Sequence, residues 1–496
     1  MWRSFLVVAV LPLAACTTLS NTARSYLTAP NGLQVDDDRV RSLLHRGMAD
    51  SALRAVGNRK SALSPDDRLL RLLYQASAAR YAGRYREAGQ LFDAAFAVSE
   101  DRFTKSVSRT AAALLTNDYA LPYTAGRNER LMLHYSALLA WSAAGDTDAA
   151  AVEARRLTAL LASFGAPGDD DRSTRAMLHT VAAAAFEAAS DRVDADVARR
   201  NAIALGAPLD SAWTAPADSM GDLFVIVERG DVAHKVAVGL TVPIFSGDNV
   251  SSSNSGFAAQ RLLADFGALR NGGVWWDDTP SWRFTDTRYA PWRGASASYL
   301  LDMSWPVLRR SLAGSVGPVQ VVTDDARAGA VVAASISDAM ASDYRSDRSA
   351  ILTRTVTRAV TKYLAARAAE AAVEAAVKKD DSDDDKKKKK KDDDAREYAG
   401  LLARLFTNAA ATAFERADTR GWTLLPGQVA VVHMRIPAGT HELLVDAAGM
   451  RQLSLPGVVV RRGRTTIVSG RLWSEARQGV GTVFERTAAH DPAPQR

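Results

Sequence analysis

Residues 72–100 read LLYQASAARYAGRYREAGQLFDAAFAVSE, and this stretch decides the first half of the fold. Apolar residues recur at three- and four-residue spacing on both sides of Gly83, so the pattern predicts two helices joined by a tight turn. The small Ala88 lets two helices approach closely, and Phe92 fills the gap to the next pair. A second stretch, LLAWSAAGDTDAAAVEARRL at 138–157, repeats the theme with Trp141, Gly145 and Ala150 in matching places. The two glycines stand 62 residues apart, so the hairpins do not keep one strict period.

The spacing of Gly83, Tyr85, Ala88, Phe92 and Ala95 resembles the second helix of a tetratricopeptide repeat, whose usual period is about 34 residues. The helical pattern runs from Asp37 to about Leu209, giving an expected tetratricopeptide-like domain over 37–210, with a plain helical bundle as the alternative. After Pro216 the period changes to two. GDLFVIVERG (221–230), HKVAVGLTVPIF (234–245) and VGPVQVVTD (316–324) read as strands. They form an expected mixed β/α domain over 220–330 that contains an irregular segment, 246–300. Helical character is expected to return from about Ala326, in a long helical pair over 331–420. The run KKDDSDDDKKKKKKDDD at 378–394, with eight Lys and eight Asp, links its two arms. That run has no apolar side chain and cannot enter a core. From Trp422 the alternation is again β, predicting a small antiparallel domain over 421–474 before a loose tail, 475–496. The fold class is α+β.

The first twenty residues, MWRSFLVVAVLPLAACTTLS, hold the only cysteine of 496 residues. Arg3 precedes an apolar run, Phe5 to Leu13, too short to span a bilayer, and small residues lead into Cys16. Leu13-Ala14-Ala15-Cys16 matches the lipobox of bacterial lipoproteins. The reading is a signal peptide over 1–15, acylation of Cys16 and a tether over 16–36. Several acyl chains hold a protein far better than one, because each buried methylene adds roughly 0.8 kcal/mol. Thr17, rather than Asp, follows the cysteine and favours the outer membrane, with the body in the periplasm. A lipidated Cys16 leaves no thiol for a disulfide, a metal or nucleophilic catalysis. The 62 Lys and Arg against 56 Asp and Glu leave +6, a charge too small over this length to mark a nucleic-acid partner.

Catalytic signatures are absent from the sequence. No G-x-S-x-G elbow occurs, and no lysine has a serine three residues before it. His441-Glu442 begins a would-be zincin motif, but Val445 stands where the second histidine belongs. The seven histidines are scattered, and neither a phosphate-binding loop nor a dinucleotide fingerprint is present. No cofactor, no metal and no enzymatic activity are expected. Trp275, Trp276, Trp282, Trp292 and Trp305 fall within 31 residues. Their flat apolar faces and N–H donors suit sugar rings or a protein partner, and equally suit covering a sheet edge.

At 117–156, NDYALPYTAGRNERLMLHYSALLAWSAAGDTDAAAVEARR, the chain resembles a family of bacterial outer-membrane lipoproteins with tetratricopeptide-like N-terminal regions. The resembling positions are Tyr123, Gly126, Glu129, His134, Tyr135, Ala137, Leu138, Gly145, Ala150, Val152, Glu153, Arg155 and Arg156. The likeness returns in 221–245, in ILTRTVTRAVTKY (351–363) and in ADTRGWTLLPGQVAVVHMRIPAGTHELLV (417–445). It implies an envelope lipoprotein without known enzymatic activity. The expected role is a scaffold or regulator that binds another envelope protein, as an accessory to cell-wall synthesis or to outer-membrane assembly and secretion. A glycan- or peptidoglycan-binding module built on the tryptophan segment is the alternative, and a hydrolase with a dispersed site is a third reading. Tyr123, Glu129, His134, Glu153, Arg155 and Arg156 are the candidate partner-binding residues. Glu153 and Arg156 are three apart and face one side of a helix. The same charges could instead brace adjacent repeats.

Overall fold

The structure, a computed structural model, describes residues 32–57, 67–104, 122–210, 214–245, 297–309, 318–324, 326–380, 417–447 and 453–473. Cys16, the signal, most of the tether, the tryptophans at 275–292, most of the charged run and the tail lie outside the described residues.

Helices α1 (Gly32–His45) and α2 (Ala49–Gly57) open the described chain. The first of them starts inside the stretch expected as tether, because Val40, Leu43 and Leu44 all reach the core and require complete turns upstream. Three helix hairpins follow. They are α3 (Arg68–Tyr81) with α4 (Tyr85–Thr104), α5 (Arg127–Ala143) with α6 (Thr147–Ser163), and α7 (Asp169–Ala188) with α8 (Arg192–Ala204). Each helix packs on the next in chain order. The three hairpins share one turn. Arg84, Asp146 and Asp191 donate their N–H to the carbonyls of Ala79, Trp141 and Phe186 at 2.9, 3.0 and 2.8 Å. That six-to-one bond needs a left-handed residue before it, supplied by Gly83, Gly145 and Ser190 with φ of 74, 77 and 63°. Ala88, Phe92 and Ala95 are fully buried, as their spacing predicts. A glycine that the pattern does not single out matters as much. A Cβ on Gly89 would lie 2.4 Å from the Trp141 ring, so α4 and α5 meet at a distance only glycine permits.

The strands are β1 (Met220–Asp231), β2 (His234–Phe245), β3 (Ala297–Arg309), β4 (Val319–Val322), β5 (Arg327–Ser335), β6 (Pro426–Pro437), β7 (Gly439–Ala447), β8 (Leu453–Val460) and β9 (Thr465–Leu472). Between β5 and β6 runs the 45-residue helix α9 (Ile336–Asp380). Strands β2 and β3 form a two-stranded ribbon, and the other seven form one sheet in the order β8-β7-β4-β5-β6-β1-β9. The strands expected in separate middle and C-terminal units therefore share a sheet, and the boundary at 421 runs through it. The reason lies in β1, buried from Gly221 to Gly230 on both faces, which takes antiparallel β6 on one side and parallel β9 on the other.

Along β1, Phe224 and Ile226 join Val429, Val431 and Ile467 in the core shared with the helices. Leu223, Val225 and Val227 point the other way and join Val319, Val321, Leu443, Val445, Leu455 and Val458 in a second core. That second core belongs to the sheet alone. The sheet rolls over it until its terminal strands, β8 and β9, approach each other. Gly221 marks the closure, since a Cβ there would sit 2.5 Å from the Arg461 carbonyl.

Three segments depart from the sequence reading. RAGAVVAAS, expected as the start of a helix, is strand β5, held by β4 at one end and β6 at the other. Strand β3 begins inside the segment expected to be irregular and buries Met303, Trp305 and Val307. Described residues 417–420, expected to end the second helical arm, lie outside any helix or strand.

Candidate functional site

The polar chemistry of the protein concentrates where the helix hairpins meet the sheet. The segment Asp418–Leu425, outside any helix or strand, lies against the helices and turns at 423–425 into β6. Arg420, with 1% of its side chain exposed, places Nε and Nη2 on Asp418 at 2.8 and 2.7 Å and Nη1 on Asp67 at 2.7 Å. Burial works against the guanidinium charge, but the two carboxylates hold its pKa above the ordinary value. Trp422 donates its backbone N–H to Glu129 Oε1 at 2.8 Å and its indole N–H to Ser77 Oγ at 2.9 Å. Its ring packs on Phe92, with centroids 5.9 Å apart. Thr423 Oγ1 meets the Tyr74 hydroxyl at 2.7 Å, and both bond to Asp37, whose pKa burial raises.

A second buried cluster ties the hairpins to the middle of the sheet. Glu228 on β1 is wholly buried and accepts from Arg80 Nη1 at 3.2 Å, Tyr81 Oη at 3.4 Å and Tyr135 Oη at 3.0 Å. Beside it, Arg471 on β9 donates to the Tyr81 hydroxyl at 2.6 Å and to the carbonyls of Leu424, Gly230 and Leu425. Its guanidinium lies 3.8 Å from the Trp473 ring centroid. Burial drives the Tyr81 hydroxyl up to about 12, and Tyr135 is raised for the same reason. Burial also pushes Asp231 upward, but His45 at 3.1 Å, with Arg471 and Arg41, brings it below the usual carboxylate range. A carboxylate enclosed by two phenols and an arginine, with no solvent face, serves to orient elements rather than to meet a substrate.

The third cluster is the N-terminus of α5. Its N-cap position is Gly126, which has no side chain to offer. Two carboxylates, one from the helix's own first turn and one from α9, answer the unpaired N–H groups. Glu129 Oε2 accepts from Gly126 N–H at 2.9 Å and from the Tyr123 hydroxyl at 2.6 Å, while Asp343 Oδ2, from α9, accepts from Asn128 N–H at 2.7 Å. Arg127 bridges Asp343 at 3.2 Å and Asp171 at 2.5 Å.

Tyr123 and Glu129 thus lie together, Tyr123 buried and Glu129 half-buried. His134 and Glu153 form a buried pair at 2.7 Å, and Arg156 closes on Glu153 at 2.5 Å and Asp93 at 3.2 Å. Arg156 also covers the Phe96 ring at 4.7 Å. Arg155 pairs with Asp191 and Asp194 of the next hairpin and is 51% exposed along its side chain. The six residues fall into separate groups, and each group joins one helix to its neighbour or, through Glu129, to the sheet segment. The sequence reading did not name Arg420, Glu228, Arg471 or Asp343. A signal was present for two of them. Glu228 and Arg471 are charges set within the apolar strands LFVIVERG and TTIVSGRLW, where only a buried partner makes a charge tolerable.

Among the described residues, no group of three or more His, Cys, Asp or Glu is placed to hold a metal ion, and no helix is long and apolar enough to cross a membrane. The chain matches no protein-family model, no curated protein and no solved structure.

Proposed function

We propose that the chain is a lipid-anchored, non-enzymatic scaffold of the bacterial outer membrane, with tetratricopeptide-like hairpins that present one envelope protein to another. One observation carries this reading. The hairpins hold a segment outside any helix or strand, 418–425, by its backbone, its indole and its arginine, and helical repeats hold peptides by the same kinds of group. Here the occupant belongs to the same chain. The groove is therefore used in cis to fix the sheet, and the partner is met on outward faces such as α8, where Val193 is 73% exposed. The lipobox at Leu13–Cys16 supports the anchor.

The test combines fractionation with a photo-crosslinking side chain at position 193. The wild-type chain should fractionate with outer membrane and give a discrete crosslinked band. Cys16→Ser should release the protein to the soluble fraction and remove the band. A Cys16→Ser protein that stays with the outer membrane through a high-salt wash overturns the anchor. The absence of a band from position 193 in the anchored protein overturns α8 as the partner face.

A further inference from the structure

One open end of the rolled sheet carries a feature that the scaffold reading does not use. At that end β1, β6 and β5 place Arg229, Gln428 and Ser335 in one cross-strand row, since Gln428 is the register partner of both others. Arg229 alternates with Leu223, Val225 and Val227, and Gln428 with Ala430 and Val432, so both stand on the face of the sheet's inner core. Strand β5 reaches this face through a bulge between Ala330 and Val332. Before it, Ala328 and Ala330 pack on the inner core. After it, Val332 and Ala334 pack on the helix side. The bulge thus turns Ala333 and Ser335 inward, at the mouth. Together with Val319 these residues line a cleft of about 520 Å³.

We propose that this mouth binds the carboxylate end of a small organic acid or peptide, with Arg229 as its anchor. The volume falls in the range of roughly 300–1,000 Å³ usual for small-ligand sites, and mouths of rolled sheets are a common place for them. Polar and apolar groups are divided as such a ligand requires. A guanidinium offers the fork geometry that matches a carboxylate, the Gln428 amide and Ser335 hydroxyl stand beside it, and Val319, Ala330 and Ala333 form a short apolar wall. Arg229 is 3% exposed, with Nη2 3.3 Å from Gln428 Oε1. Burial holds its pKa down to about 10, so it stays cationic at neutral pH in a setting where an arriving anion is poorly screened. The small side chains Ala330 and Ala333 leave room for a methyl or short alkyl group.

The test uses the full chain with Cys16→Ser and three probes in calorimetry and thermal-shift assays. They are hexanoate, N-acetyl-alanyl-alanine with a free carboxyl, and the same dipeptide with an amidated end. At least one of the two acids should bind at roughly millimolar concentration and raise the melting temperature, and the amide should not. Hexanoate alone points to a free acid, and the dipeptide alone to a peptide C-terminus. Arg229→Lys should weaken binding by about tenfold. Ala333→Phe should fill the cleft and block binding while the far-ultraviolet circular dichroism stays native. Equal binding of amide and acid, no binding by either acid, or undiminished binding in a folded Ala333→Phe protein overturns the proposal.

Discussion

Asp343 offers the sharpest check on the reading of the α5 N-terminus. Its carboxyl accepts from Asn128 N–H at 2.7 Å, Asn128 Nδ2 at 3.0 Å and Arg127 Nε at 3.2 Å. Burial nevertheless pushes its pKa up to about 6 from 3.8, with Asp171 and Glu129 adding to the rise and the Asn128 N–H and Arg127 opposing it. Arg175 also faces this cluster, its own pKa lowered first by burial and then by Arg127. A carboxyl whose folded value is raised binds its proton more tightly in the folded chain than in the unfolded one. Its contribution is then fully present below the unfolded value, fades as pH rises through about 6 and is gone above that. A difference of about two units amounts to ~3 kcal/mol between pH 4 and pH 7.5. Total stability will not display this directly, because His179 and His234, both held down to about 4 by burial, lose stability as pH falls across the same window. The comparison with Asp343→Asn isolates the effect. Asparagine can still accept the Asn128 N–H, but it cannot ionise, and the histidines are common to both proteins. Urea unfolding from pH 4 to 7.5 should show wild type losing ~3 kcal/mol relative to the variant as pH rises. A constant difference between the two proteins, or wild type gaining as pH rises, would refute the argument. The second outcome would mean that Arg127 and the α5 N-terminus outweigh burial and keep Asp343 ionised.

Ser190→Gly should raise stability by ~1 kcal/mol, since Ser190 holds φ of 63° at the turn where the other hairpins carry glycine. The gain is offset only by one exposed bond from Arg464, 2.7 Å from the Ser190 hydroxyl, so a fall in the unfolding midpoint would show that this bond outweighs the backbone strain. Gly89→Ala should cost ~2 kcal/mol or more, because its new methyl would enter the Trp141 ring, and near-ultraviolet circular dichroism should register the moved indole. An unaltered midpoint and spectrum would mean that α4 and α5 separate at no cost.

The helices were legible because their punctuation is local. Gly83 and Gly145 end their helices through residues within one turn, and Ala88 and Phe92 announce a packed face by spacing alone. Ser190 performs the same task without the glycine that advertises it. The strands were legible where alternation is strong, as in β1 and β6, and illegible in RAGAVVAAS, whose alanines suit either period. Partnership was not legible at all. Nothing within LFVIVERG says that its neighbours are β6 and β9, about 200 residues later, because register is settled by long-range pairing. The candidate residues suffered from the same limit. Tyr123, Glu129, His134 and Glu153 are polar groups in a helical region, which a sequence cannot divide into those facing out and those facing a buried partner.

The buried charges bear on the proposed scaffold role. Ion pairs as enclosed as Arg420 with Asp67, or Arg80 with Glu228, add little net stability, since desolvation cancels much of their attraction. Removing one member is another matter, at roughly 3–5 kcal/mol, because the other charge is then stranded. Such pairs therefore fix geometry more than they add strength. Hairpins supply Asp67, Arg80, Tyr81 and Tyr135, and the sheet and the segment leading into it supply Glu228, Arg420 and Arg471. Sliding either layer against the other would strand several charges at once. A partner that entered the groove in place of 418–425 would have to replace Asp418, satisfy Asp67 and Glu129 again, and do so against a segment tethered at effectively high local concentration. A partner that docks on the outer faces meets none of these costs. On the proposed reading, the hairpins hold their own sheet in place and offer their outer faces, with α8 at the end of the described stack, to the partner.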